Sequence, residues 1–138
     1  MTLAVSDYFD HEADIGVIGR GPTVEDALVA AAGAVFAIMA DPASIRPERR
    51  VDVRFEESDV ELAMVTWLNL LIGEARARGL IFGRFELRRE GDAWLGSAWG
   101  EPWRSGIERG TEVKGATLTA LSVNQTEDGW DARCVVDV

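Results

Sequence analysis

The chain has 138 residues, 47% hydrophobic and 28% charged, and carries a formal net charge of −10 at pH 7. That is one domain's length, with enough apolar content to bury a core and no run long enough to span a bilayer. Its one cysteine, Cys134, excludes an intrachain disulfide, and its acidic excess argues against strong direct nucleic-acid binding, which needs Lys and Arg on phosphates.

The N-terminal MTLAVSDYFD has neither the basic flank nor the apolar core of a secretion signal. The expectation is one domain, 1–138, cytoplasmic and without a membrane. Residues 7–20 read as a strand, an acidic loop and a second strand, with Gly-Arg-Gly-Pro at 19–22 as the turn. Thr23 reads as a helix N-cap followed by Glu25 and Asp26. Leu28, Ala31, Val35, Phe36 and Met39 recur at helical spacing until Asp41-Pro42 stops the helix. VDVRFE at 51–56 alternates as a half-buried strand, and Ser58 with Glu61 has the spacing of a capping box. Leu62, Val65, Leu68, Ile72 and Ala75 then mark a second helix that Gly79 ends. Ile81, Phe85 and Leu87 begin a sheet segment interrupted by Gly83, and Gly91-Asp92 turns it back into AWLGSAW as a hairpin. Residues 100–111 read as a loop, Val113 to Val123 as a strand, and WDARCVVDV as the last strand. This order predicts an α+β domain, two helices packed on a mostly antiparallel sheet.

The stretch FDHEADIG places Asp10, His11, Glu12 and Asp14 at the mouth of a strand, a costly crowding unless something positive sits there. On the period of two, Trp130, Ala132, Cys134, Val136 and Val138 share one face of the last strand, while Asp131, Arg133, Val135 and Asp137 share the other. If the first strands pair near the last, Asp14 meets Asp137 and the chain end, a carboxylate set suited to a hard cation such as calcium or magnesium. The simpler alternative is two exposed acids at strand ends, which spacing alone favours. His11 has no Ser or Cys partner in a nucleophile motif and no clustered His/Cys companions of a zinc site, so it reads as a loop residue. No catalytic residue is expected. Cys134 reads as core. Lys114 reads either as a solvated strand lysine or as a partner for the acidic loop or a phosphate. Of the five tryptophans, Trp67, Trp94 and Trp130 lie in apolar patterns, Trp103 is expected near the surface, and no basic stripe accompanies them for base stacking.

Six segments in order resemble one family, the archeases, along the whole chain. FDHEADIG resembles its His-Thr-Ala-Asp-Ile/Val signature, and TVEDALVAAAGAVFAIMAD its Ala-rich first helix. WLNLLI resembles Trp-Leu-Asn-Glu-Leu-Leu, and Gly100-Glu101 its Gly-Glu after the hairpin. GTEVKGAT resembles Thr-Glu-Val-Lys-Ala-x-Thr, and VVDV the Val/Ile-x-Asp-Val/Ile terminus. Glu12 stands where Thr is usual, Gly115 where Ala follows the lysine, and Leu118-Thr119 where a Tyr or His is common.

The resemblance implies an archease-like fold and a protein that is not an independent catalyst. Archeases are partners of the RtcB-type RNA ligase, which joins RNA ends in tRNA splicing and repair using GTP and manganese. They promote guanylylation of the ligase and restore multiple turnover. Mapped residue by residue, the family's metal ligands fall on Asp14, Asp137 and Val138, with calcium the usual metal and magnesium or manganese as alternatives. His11, Glu101 and Lys114 become candidates for function or partner contact. A chaperone-like or RNA-modification role is the alternative for the family, and an independent metal-dependent hydrolase, with His11 as its only obvious base, ranks last.

Overall fold

A computed structural model describes residues 4–11 and 14–138, with Asp10 and His11 described by their backbone alone. Strand β1 (Val5–His11) runs antiparallel to β2 (Asp14–Gly21), so the acidic segment falls largely within strands. Helix α1 (Val24–Met39) opens on Thr23, whose hydroxyl accepts the Asp26 N–H at 3.1 Å. It ends at Ala40, ahead of a short 3-10 turn at Pro42–Ser44. Strand β3 (Arg49–Glu56) leads into helix α2 (Val60–Arg78), which Gly79 closes in the left-handed conformation, φ 66°. Strands β4 (Leu80–Glu90) and β5 (Ala93–Pro102) form the expected hairpin, with the pairing shifted between Phe82 and Arg84, where Gly83 interrupts it. The chain closes with β6 (Gly115–Ala116), β7 (Ser122–Thr126) and β8 (Gly129–Asp137).

The strands form two antiparallel sheets rather than one. A five-stranded sheet has the order β1-β2-β8-β6, with β7 also on β8, and a three-stranded sheet has the order β3-β5-β4. Helix α1 lies between them, touching β2, β8 and β1 on one side and β4 on the other. Burial on both sides explains its composition, since Ala27, Ala31, Ala32 and Ala34 are all fully buried. Small side chains let the sheets close in from both directions. Gly19 on β2 serves the same approach, because a Cβ there would collide with the Ala27 carbonyl and the Ala31 backbone. Phe36, Trp67, Trp94, Phe82 and Leu28 fill the rest of the core. The Trp67 indole N–H donates to the Leu28 carbonyl at 3.0 Å and ties the two helices together.

Two local readings are corrected. Helix α2 is capped by Asp59, not by a Ser58–Glu61 box: the Asp59 carboxylate accepts the N–H groups of Glu61 at 2.8 Å and Leu62 at 3.3 Å. The expected strand from Val113 to Val123 is broken in two. Pairing runs from Ala116↔Val136 to Ser122↔Arg133, so five residues, 117–121, lie opposite two of β8, Cys134 and Val135. The excess loops out around Leu118, and Ala120 takes a positive φ of 53° to bring the chain back.

The outer face of the smaller sheet is exposed and internally neutralised. Arg50 bridges Asp52, Arg54 bridges Glu56, Arg84 bridges Glu86 and Arg88 bridges Glu90, each pair two residues apart along its strand. Arg50 and Arg84 flank the Trp99 ring at 5.3 and 4.6 Å. That tryptophan is therefore covered by guanidinium groups, which are drawn to its π-face.

Candidate functional site

The five-stranded sheet brings the two ends of the chain together. Strand β2 pairs with β8 from Gly21↔Trp130 to Ile15↔Val136, and Asp14 and Asp137 are the next residues on the two strands, opposite each other if the register is continued by one step. Across β1, Asp14 pairs with His11, and across β6, Asp137 pairs with Gly115. One transverse row thus holds His11, Asp14, Asp137 and Gly115, in that order, with Lys114 and Val138 one step beyond it. Residues directly opposite on adjacent strands share a face, which puts the Asp14 and Asp137 carboxylates on the same side. Asp14 is half-buried and Asp137 exposed. Neither forms an ion pair within 4 Å with a residue whose side chain is described.

The chain end is anchored beside this row. The Lys114 N–H donates to the Asp137 carbonyl at 2.8 Å. Val138 is half-buried against the core, while Cys134 and Val136 are fully buried on the same strand face. Burial pushes the Cys134 thiol up to about 12, as expected of a core cysteine. The Lys114 side chain is exposed. Beyond it, the Thr117 N–H and hydroxyl both donate to the Val135 carbonyl, at 3.0 and 2.8 Å.

The other predicted site residues fall in different places. Glu12 lies outside the described residues, and His11 takes part through its register position. Glu101 is on β5, in the other sheet, only 2% exposed. Its carboxylate accepts from Arg104 Nε at 2.8 Å and from the Arg46 backbone N–H at 2.6 Å. The Arg104 guanidinium, then the Arg46 N–H, hold its carboxyl below the usual range. Arg104 also donates to the Ser44 carbonyl, so Glu101 pins the Pro42–Ser44 turn and the loop after β5 together. The structure thus gives Glu101 a buried structural occupation apart from the carboxylate row. Trp103 is half-buried, with the Arg109 guanidinium 4.0 Å from its ring centroid.

The sequence reading missed Asn69. From α2, its Oδ1 accepts the Ala116 N–H at 2.8 Å and its Nδ2 donates to the Ala116 carbonyl at 3.2 Å. The signal was a polar residue inside the apolar WLNLL run, exposed on an otherwise buried stretch of helix.

Among the described residues, no three His, Cys, Asp or Glu side chains come together as a metal-holding group. The row offers two carboxylates, oxygen donors of the kind a hard cation takes. Among the described residues, no helix is long and apolar enough to cross a membrane.

Fold and row together define a two-sheet α+β protein that sets carboxylates from its first hairpin and its last strand side by side. The chain belongs to the archeases: residues 7–138 match the model of the Archease protein family (MTH1598/TM1083). A protein archease of Aeropyrum pernix is 33% identical over 135 residues, covering 94% of both chains. One from Sulfolobus acidocaldarius is 35% identical over 137 residues, covering 96% of this chain and 97% of its own. Among solved structures, protein 1598 of Methanobacterium thermoautotrophicum superposes with a TM-score of 0.81 at 24% identity, over 96% of this chain and 98% of its own. A crystal structure from Thermotoga maritima, described as an archease and possible chaperone, gives a TM-score of 0.66 at 22% identity, over 94% of each chain. Both share the two-sheet, two-helix fold.

Proposed function

We propose that this chain is a protein activator of an RtcB-type RNA ligase, promoting its guanylylation by GTP and its multiple turnover in tRNA splicing or repair. In this reading it is a protein cofactor rather than a catalyst. The observation that carries the proposal is the register that sets Asp14 opposite Asp137. Facing like charges destabilise a sheet, and a bound cation reverses that penalty. Asp14, Asp137 and the Val138 carboxylate are the proposed ligands, for calcium first and magnesium or manganese second. Such ions take six or more oxygens, so two or three protein ligands leave positions for water or for a partner's groups. When bound, the cation supplies a local positive charge at the rim of an acidic protein.

The chain's own residues then do three things. Asp14 and Asp137 present oxygen donors from two rigid strands. The Lys114–Asp137 backbone bond holds the chain end at the row. Lys114 places a cationic side chain within reach of an anionic group on the partner. Catalysis on the partner proceeds by positioning and electrostatics, which asks for no nucleophile here. A net charge of −10 suits docking against a basic, RNA-binding enzyme.

The test mixes substoichiometric protein with the ligase of the same organism, GTP and manganese, and measures the ligase–GMP adduct and the RNA joined over many turnovers. Acceleration that disappears with Asp14→Ala or Asp137→Ala is the expected result. No acceleration by folded protein of an active ligase sinks the proposal in favour of a chaperone-like or RNA-modification role. That second reading is supported by the similarity to the Thermotoga maritima protein, described as a possible chaperone. It calls for a contiguous apolar surface; the exposed large apolar residues among those described are Val5, Tyr8, Leu62 and Leu118, spread over β1, α2 and the β6–β7 loop.

A further inference from the structure

We propose that Asn69 is a positioning residue for Lys114, holding it beside the carboxylate row by acting as a missing strand. The proposal rests on the activator reading and adds a residue and a helix to it. Strand β6 is two residues long, with β8 on one side and α2 on the other. A backbone segment this short, preceded by an irregular stretch, keeps its place only if its outward N–H and C=O groups find partners. Asn69 supplies both. Ala116's N–H can only donate and its carbonyl only accept, which sets the amide orientation with Oδ1 on the first and Nδ2 on the second. The distances are 2.8 and 3.2 Å.

Asn69 holds Ala116, the β8 backbone holds Lys114 N–H, and Arg76, two turns along α2, reaches the Lys114 carbonyl at 3.4 Å. The Arg76 contact is long, and its ion pair with Glu112 at 3.7 Å is exposed, so Asn69 is the firmer strap. The fit is close: a Cβ added at Gly115 would lie 3.2 Å from Asn69 Oδ1. Gly115 itself pairs with Asp137. The segment that α2 straps down is therefore the one that carries Lys114 on one side and meets the row on the other. Asn69 is exposed on the helix surface and fills no core position, so removing its amide loosens this segment without opening a cavity.

The test compares Asn69→Ala, Asn69→Asp, Lys114→Ala and the Asn69→Ala/Lys114→Ala double variant with wild type. The readouts are amide hydrogen exchange at Ala116 and Lys114 by NMR, thermal midpoint, and ligase activation. Asn69→Ala is expected to speed Ala116 exchange by about tenfold, the equivalent of one lost hydrogen bond, with little change in midpoint. Asn69→Asp should rescue it only in part, because a carboxylate still accepts the Ala116 N–H but cannot donate to the Ala116 carbonyl. Activation should fall toward the Lys114→Ala level, and the double variant should be no worse than Lys114→Ala, the mark of two residues acting as one unit. Unchanged Ala116 exchange in Asn69→Ala overturns the proposal. So does faster exchange with full activation where Lys114→Ala has lost it. If wild type itself fails to activate, the activator reading has failed, and the exchange data still decide whether Asn69 holds the segment.

Discussion

Asp14 and Asp137 are two surface carboxylates whose meaning comes from facing each other. In the absence of divalent cations, replacing one should relieve repulsion. Asp137→Asn is expected to stabilise the chelated protein by about 0.2–1 kcal/mol, the range of a cross-strand pair. In excess calcium the order should invert, because wild type gains binding energy that the variant lacks. Thermal midpoints with chelator and with calcium measure both, and an identical response of the two proteins to calcium would remove Asp137 from the ligand set. Glu101 is the opposite case, an inward carboxylate already supplied with donors. Its pKa is lowered in the fold relative to the ordinary 4.5, so its contribution is present above that value and is lost as pH falls through the lower folded value. Glu101→Gln should therefore lower the thermal midpoint at neutral pH, with the gap to wild type closing in acid below about pH 4.5. Melts across pH 3–7 test this, and a gap that persists at the acid end would mean that packing, not charge, holds the Arg104 and Arg46 contacts.

Among the elements, α2 shows how a cap is chosen by geometry rather than spacing. Ser58 and Glu61 have the capping-box interval, yet Asp59 holds the cap, with its carboxylate on two orphan N–H groups and its charge at the positive helix end. Asp59→Ala should cost about 1 kcal/mol, the usual value of an N-cap, whereas Ser58→Ala should be close to neutral. Urea melts of the two variants separate the readings, and equal losses would restore the box. The same helix makes attachments at different depths. Trp67 binds the Leu28 carbonyl in the core, Asn69 binds β6 at the surface, and Glu61 accepts the Val123 N–H of β7 at 3.3 Å. It thus organises the far edge of a sheet that α1 supports from the other side.

The whole molecule is strongly acidic, but its charge is unevenly used. The outer face of the smaller sheet cancels its own arginines against carboxylates two residues away, leaving that surface near neutral. The row at the end of the larger sheet has no such partners among the described residues. Association with a basic enzyme through that end should be electrostatically steered, and raising the salt from 50 to 500 mM should slow it by about tenfold or more. Stopped-flow binding across that range checks this, and a flat salt dependence would place the contact on a neutral surface.

The order of elements and both helix spans were legible in the sequence because helical periodicity, Pro42 and Gly79 are local signals. Alternation picked out one buried face of β8, and Ala132, Cys134 and Val136 lie in the core as it requires, but Val135 on the opposite face is buried as well. Spacing could name Asp14 and Asp137 only as a conditional pair, since nothing local says which strands are neighbours. Tertiary structure decided the rest. It divided the strands into two sheets around α1, because an alanine-rich helix can be packed from both sides. It turned Glu101 inward onto Arg104 and broke the Val113–Val123 run where β8 had too few residues to pair with it. It gave Asn69, an unremarkable polar residue in an apolar run, a backbone to hold. Apart from the local Glu101–Arg104 pair, these outcomes depend on contacts between residues distant in sequence, and strand neighbours, unlike periodicity, are set by how the whole chain packs.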